Sequence, residues 1–349
     1  MANSFVFTLK DSKKWSNLLE ECEERDIHFD PKYLSLFEEK INGKALLFVT
    51  KEKENFLLYP FFKRKINDES YFNELDEELY DIISPWYFGG LILQNSKNSK
   101  KLINKFLKEF KEYTIKEKIV SEFTRIHPLL KQSQNFIEQV NSEYRYDVSY
   151  VNLNQNEEDI IKNMKKTNKN ACTSAEKHGV KIEFSNSEKA INEFFVIYTK
   201  FINQIETSDF YNFSLEFLQK IRTSFANNII IVLARYKEKI IAGSIFLFKG
   251  GIVHYWLSAT DYEYRKLSPT NLLLLKSTLF FKEKGQKTFF LMGGTDEKLR
   301  KFKESFSNTT IKFYTYSEIH NNEKYLKLVK YRHKNKDCKN SGFFPAYRE

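Results

Sequence analysis

A lysine stands at the end of a run that reads as strand, tight turn and helix, a junction that can put backbone and charge beside a reacting group. From Lys287 the chain reads KTFFLMGGTDEKLRKFK, followed by ESF and, a few residues on, the strand-like stretch IKFYTYSEI. Phe289–Met292 has the composition of a buried strand, Gly293–Gly294 supplies a tight turn, and Asp296 occupies the N-cap position of a helix that carries Lys303. Taken alone, a helical lysine is more simply a solvated surface charge.

Two other segments carry candidate side chains. The pattern over Glu157–His178 predicts one helix, with Ile160, Met164, Thr167 or Asn168, Ala171, Ala175 and His178 as an apolar stripe. Lys162, Lys165, Lys166, Lys169, Thr173 and Lys177 form a neighbouring basic stripe, either an anion-binding face or a solvated one, and Gly179 supplies the left-handed stop. In the strand VHYWLS, alternation puts Val253, Tyr255 and Leu257 on one face and His254 and Trp256 on the other, so only one of the two aromatics can line a cleft. His254 and Asp296 are the candidate proton acceptors, Asp296 being more simply a helix cap.

Several chemistries lack their signatures. The chain has no Walker loop, dinucleotide GxGxxG, GxSxG elbow or HExxH, and its six histidines and three cysteines (Cys22, Cys172, Cys338) lack metal-ligand spacing, so no metal is expected. Unpaired cysteines suit a reducing, cytoplasmic compartment. The N-terminus MANSFVFTLKDSKKW does not read as a signal peptide, and NLLLLKSTLFF, interrupted by Lys276, is about half the length of a membrane span. The net charge of +10 favours polyanionic partners, although Lys and Asn are abundant throughout and a general compositional bias gives the same excess.

The elements that must position these residues alternate between strand and helix. With 349 residues, 41% of them hydrophobic, there is material for two cores. The two halves repeat an order: GKALLFVTKEKENFLLYPFFKRK and NNIIIVLARYKEKIIAGSIFLFKG each read as strand, charged turn, strand. YDIISPWYFGGLIL forms a further apolar segment with a turn at Gly89–Gly90, and Pro269–Lys284 a long helix with Ser268 as N-cap. The expected division is 1–150, 151–335 and a basic tail, 336–349.

Three segments, in order, carry a resemblance. FFLMGGTDEKLRKFK with its following strand, KNACTSAEKHGVKIEF, and VHYWLSATDYEYRKLSPTNLLLLKSTLFFKEKG together resemble the FemABX-type transferases of the GNAT-like acyltransferase superfamily, best over about residues 152–330. The resemblance implies an α/β fold of two tandem GNAT-like domains, each a mixed, mostly antiparallel sheet flanked by helices. It implies an enzyme that transfers an acyl group, often an aminoacyl group from charged tRNA, to an amine on a cell-wall or surface-glycan precursor. Phe302 and Lys303 fall on the family's Phe-Lys, whose lysine is thought to stabilise charge on the attacked ester. Lys169, with Thr173 one turn on, falls where the family grips the acceptor's phosphate with an arginine, and a lysine lacks that bidentate fork. Tyr255 falls near an acceptor-binding tyrosine.

The donor follows from one loop. Conventional acetyl-CoA enzymes cradle pyrophosphate on the backbone N–H groups of a glycine-rich loop, and here that position reads RKLSPTNLLLL, without glycine and with Pro269 removing a donor. This favours aminoacyl-tRNA over acyl-CoA, with no other cofactor. The basic segments 282–287 and 331–339 are candidates for tRNA phosphates, DNA is not expected, and a lipid-linked acceptor implies peripheral membrane contact. The alternatives are an acyl-CoA-dependent N-acetyltransferase of an amino sugar or polyamine, and a non-catalytic protein that binds RNA or a glycan carrier.

Overall fold

The computed structural model describes residues 4–333 and 342–349, apart from 74, 96, 98, 206, 207 and 295. The chain forms two compact units, Met1–Tyr146 with Lys312–Glu349, and Asp147–Ile311. Residues 334–341, with Cys338 and much of the basic stretch 331–339, lie outside the described residues.

The first unit begins with β1 (Ser4–Thr8), α1 (Ser12–Glu20), α2 (Pro31–Ile41), β2 (Lys44–Glu52), β3 (Asn55–Lys65), β4 (Tyr80–Ile83) and β5 (Ile92–Leu93). It continues with α3 (Ser99–Lys116), β6 (Ile119–Ile126) and α4 (Lys131–Ile137). Local chemistry sets these boundaries. Asp30 caps α2 by accepting the Lys32 N–H, Pro31 occupies a position that needs no N–H, and Asn42 ends the helix in the left-handed region at φ 51°. Strands β1 to β4 pair antiparallel in turn, and β4 runs parallel to β6. The segment 80–93 is interrupted rather than continuous: Tyr87 (φ 73°) and Gly90 (φ 97°) turn the chain, so that β5 pairs with β3 instead of prolonging β4. Phe48, Tyr59, Phe61, Phe106, Phe110 and Phe136 pack between α3, α4 and the sheet.

The second unit runs β7 (Ser142–Asn152), α5 (Glu157–Asn163), α6 (Lys166–Lys177), β8 (Lys181–Ser185), α7 (Glu188–Ile202) and α8 (Leu215–Ser224). It continues through β9 (Ile229–Tyr236), β10 (Lys239–Lys249), β11 (Ile252–Thr260), α9 (Pro269–Glu283), β12 (Thr288–Phe290) and α10 (Glu297–Glu304). Its strand order is β7-β12-β11-β10-β9-β8, antiparallel except where β12 lies parallel to β11. The chain then returns to the first unit as β13 (Thr310–Ile319), antiparallel to β6, and α11 (Asn322–His333). Each unit thus has the mixed, mostly antiparallel sheet with flanking helices that the sequence implies.

Two sequence expectations are corrected. Residues 157–178 form two helices, because Met164 is extended (ψ 144°) and breaks the run before α6. The buried face of α6 is Asn168, Cys172 and Ala175, whereas His178 is exposed. Gly179 does stop the helix, at φ 84°. Ser268 is the N-cap of α9 and Pro269 follows at the first helical position, as expected, but Ser268 sits in the left-handed region at φ 51° and makes no side-chain cap bond.

Helices α7 and α9 both pack on β9, β10 and β11. Gly243 of β10 lies beneath Phe194 of α7, where an added Cβ would come within 2.9 Å of the ring and 3.1 Å of a Leu233 methyl. Overpacking of this kind costs about 1–3 kcal/mol. Gly243→Ala is therefore expected to lower the urea midpoint without changing the slope; an unchanged midpoint means that Phe194 yields freely. Cys22 and Cys172 are free and buried, and burial pushes both thiols up to about 12, so neither is a nucleophile at neutral pH. No helix among the described residues is long and apolar enough to cross a membrane.

Candidate active site

The end of β12 builds the setting of Lys303. Leu291 keeps one more sheet bond, donating its N–H to the Ser149 carbonyl (3.2 Å). Met292 then turns into the left-handed region at φ 63°, the position where a glycine would be expected; Gly293 and Gly294 take ordinary φ values. That bend is uncommon for a residue with a Cβ and marks a held corner. The reason for a small residue at Gly294 is packing: a Cβ there would lie 3.1 Å from a Leu299 methyl. Asp296 accepts the Leu299 N–H (2.8 Å) and caps α10, and Arg300 donates to the Gly294 carbonyl (3.2 Å).

Within this frame Lys303 is buried, only 7% exposed, on a short helix otherwise rich in exposed charge. Its Nζ donates to the Gly293 carbonyl (2.6 Å) and, at 3.5 Å, to that of Met292. It lies 5.8 Å from the centroid of the Tyr255 ring. No ion pair involves Lys303 among the described residues, and burial alone lowers its pKa from 10.5 to about 7. Phe302, next to it, is half-buried and meets Phe306 edge-on, with centroids 5.2 Å apart.

Tyr255 sits on β11 opposite Phe246, its phenol raised by burial and partly offset by hydrogen bonds with Ser258 and Ser244. The next side chain back, His254, is fully buried, and its Nδ1 lies 3.3 Å from the Met292 sulfur. Lys303 and His254 both reach the corner at Met292, and Tyr255 lies beside Lys303. Asp296 stands apart as the cap.

The basic helix is joined to this corner through a residue that the sequence pattern left as an either-or. Asn168, 4% exposed, donates to the Ser305 hydroxyl (2.8 Å) and accepts the Asn271 amide, while the Lys165 N–H donates to the Ser305 carbonyl (2.9 Å). Asn168 therefore ties α6 to the start of α9 and to the residue after α10. Lys169 is half-buried and its Nζ donates to the Lys162 carbonyl (3.3 Å), across the gap between α5 and α6. Thr173 is exposed and its hydroxyl donates to the Lys169 carbonyl (3.1 Å).

The first unit holds a cluster that spacing could not show. Asp26, His28 and His127 are fully buried, with potential ligand atoms within 4.8 Å of one another. His28 Nδ1 lies 2.6 Å and His127 Nε2 3.4 Å from the Asp26 carboxylate, while His127 Nδ1 accepts the Leu129 N–H (3.2 Å). That last bond puts the proton of a neutral His127 on Nε2, facing the carboxylate.

Residues 162–304 match the profile of an acetyltransferase (GNAT) domain. The second unit carries a GNAT-type acyltransferase domain. The match opens on the last turn of α5 and closes one residue after Lys303, so both the basic helix and the lysine corner lie inside it. The fold of the chain is similar to that of FemX, with 12% identity, 93% of this chain and 99% of that chain covered, and a TM-score of 0.68. It is also similar to L-PGS from Bacillus licheniformis, at 14% identity, 90% and 92% coverage, and a TM-score of 0.54. No curated protein matches the chain by sequence. The protein is a transferase, and its fold is that of FemABX-type GNAT-like acyltransferases. Within this acyltransferase domain Lys303 is the one buried lysine among the described residues, and its amine lies 5.8 Å from the Tyr255 ring centroid.

Proposed function

We propose that the protein transfers an aminoacyl group from charged tRNA to an amine of a cell-wall or surface-glycan precursor, in the cytoplasm. The observation that carries this reading is the Lys303 amine, buried beside Tyr255 and held on the carbonyls of Met292 and Gly293 directly after β12. A donor ester placed here meets a fixed cation or N–H donor where charge develops on its carbonyl oxygen. Lys169 and Thr173, on the helix tied to the same corner by Asn168, are the candidate contacts for an anionic group of the acceptor.

The start of α9 supports tRNA over acyl-CoA as donor. Pro269 at the first helical position offers no backbone N–H, and the run RKLS before it holds no glycine to let the backbone approach a phosphate. A helix start of this kind is a poorer cradle for pyrophosphate than a glycine-rich one. The partners would then be aminoacyl-tRNA, with Lys282, Lys284 and Lys287 among its phosphate contacts, and a carrier-linked precursor, which brings the protein to the membrane surface.

The test uses tRNAs charged with radiolabelled amino acids, mixed with nucleotide-linked and lipid-linked cell-wall precursors. The expected product is label in an amide that survives the mild alkali that cleaves the tRNA ester. Label transferred from acyl-CoA to an amino sugar or polyamine, with none from tRNA, would replace this reading by the N-acetyltransferase one.

A further inference from the structure

Amide formation poses a proton problem, because an amine acceptor arrives as an ammonium ion and must lose a proton before it can attack. We propose that Lys303 takes that proton and later returns it to the leaving oxygen, a role that rests on the acyl-transfer reading above.

The geometry of the amine carries the assignment. A neutral lysine has two N–H groups and one lone pair; its ammonium form has three N–H groups and none. Two carbonyl oxygens, those of Gly293 and Met292, face Lys303 Nζ. The Gly293 carbonyl (2.6 Å) takes one hydrogen of the neutral form, the Met292 carbonyl stands at 3.5 Å on the side of the second, and the lone pair is left to accept a proton. The ammonium form has a third N–H in a site where the residue is buried and where, among the described residues, no carboxylate pairs with it. The corner is fixed by the left-handed Met292, so the carbonyls hold their place while the proton moves.

The other polar groups around it have work of their own. On α10, Arg300 donates to the Gly294 carbonyl, and Glu304, the next residue, is half-buried. On β11, the Tyr255 hydroxyl is engaged by Ser244 and Ser258, and His254 Nδ1 meets the Met292 sulfur. Before the helix, Asp296 is spent on the cap. The lowered pKa of Lys303, about 7, agrees with an amine that exchanges a proton near neutrality.

The step balances. The acceptor R–NH3+ gives one proton to Lys303, and R–NH2 attacks the ester carbonyl with its freed electron pair. The new C–N bond forms and the carbonyl oxygen takes the charge, beside a lysine that is now an ammonium ion. As the intermediate collapses, the C–O bond to the donor breaks with its electron pair, and the leaving oxygen is protonated from Lys303 while the amide nitrogen sheds its second proton to solvent. One residue thereby serves first as base and then as the cation opposite the oxyanion, with no redox partner.

Two measurements test this. In protein labelled with 15N-lysine, and with the signal assigned through Lys303→Met, the Lys303 amine is expected to titrate near pH 7; titration near 10 overturns the proposal whatever the donor is. With charged tRNA as donor, Lys303→Arg, which keeps the charge but holds its proton, is expected to lose about a hundredfold or more in rate. The wild-type rate should fall below about pH 7. An arginine variant that keeps a third of the activity overturns the base role and leaves charge stabilisation in its place. If the wild-type protein transfers nothing from tRNA while Lys303 still titrates near 7, the donor assignment fails and the lysine's proton-exchanging role stands.

Discussion

Lys303→Met is expected to abolish transfer and, at pH 7, to make the folded protein more stable. Removing the group that meets the developing charge costs about a hundredfold to a thousandfold in rate. The stability effect has the opposite sign because burial holds the Lys303 amine at about pH 7 against 10.5 in the open chain. That gap corresponds to roughly 4–5 kcal/mol, from which the lost carbonyl hydrogen bonds subtract about 1–2. The sign follows from proton counting. Between pH 7 and 10.5 the unfolded chain binds a proton at this lysine that the folded chain does not, so wild-type stability rises with pH across that window. Below pH 7 both states are protonated and the full burial cost is present. The methionine variant lacks this dependence, so its advantage in urea unfolding should be largest at pH 7 and shrink towards pH 10. An advantage that is constant with pH would mean that Lys303 does not titrate in the folded protein, and a variant that still transfers would remove Lys303 from the chemistry.

The order of elements was legible because hydrophobic period reports it directly. IIIVLARY and IIAGSIFLF are continuous apolar runs and became β9 and most of β10, and the Asp296 cap and Gly179 stop are local chemistry that needs no tertiary partner. What failed was conformation that depends on neighbours. Nothing in KNMKKTNKN breaks a helical pattern, yet the buried Met164 is extended and ends α5. Gly-Gly reads as the site of a left-handed turn, whereas the sheet bond at Leu291 places that turn on Met292.

The candidate site was legible to a different degree. Lys303 stood out through its motif, but its burial could not be read from a helix as polar as EKLRKFKE; only the corner it folds into removes it from water. Asn168 was an ambiguous position on a stripe because an asparagine there packs only if two further amide or hydroxyl partners arrive from helices more than a hundred residues on. His28 and His127 are separated by a strand-rich half-domain, and no spacing rule joins them; the signal available was local, Asp26 two residues before His28 in an Asx-type cap. Function was therefore nearest to the surface of the sequence where one motif held both strand and helix, and hidden where distant segments share a hydrogen bond.

The second large effect is expected far from the lysine, at Asp81. This fully buried carboxylate on β4 accepts Arg64 Nε (2.8 Å), the Tyr347 hydroxyl (3.1 Å) and Arg348 Nε, while Arg348 also meets Glu69 and Ser121 shares a hydrogen bond with Tyr347 (2.7 Å). The last residues of the chain are thereby pinned into the core around Phe72, Tyr325 and Tyr347. Burial pushes the Asp81 carboxyl up, but the Arg64 and Arg348 guanidiniums outweigh it and hold the group below its ordinary value. Asp81→Ala leaves two cations without their shared partner and is expected to cost about 3–5 kcal/mol, far more than removal of an exposed pair such as Lys220–Glu216. Because the folded carboxyl is the stronger acid, its contribution is complete above the ordinary aspartate range and fades as pH falls through the lowered folded value. Wild type and Asp81→Ala should therefore differ most above pH 5 and converge in acid. Removing Tyr347–Glu349 should reproduce most of the loss, and adding Asp81→Ala to that truncation should cost much less than it does in the full chain, since Arg348 is already gone. Strictly additive losses would show that the carboxylate and the C-terminus stabilise the unit independently, and that the tail is not held by charge.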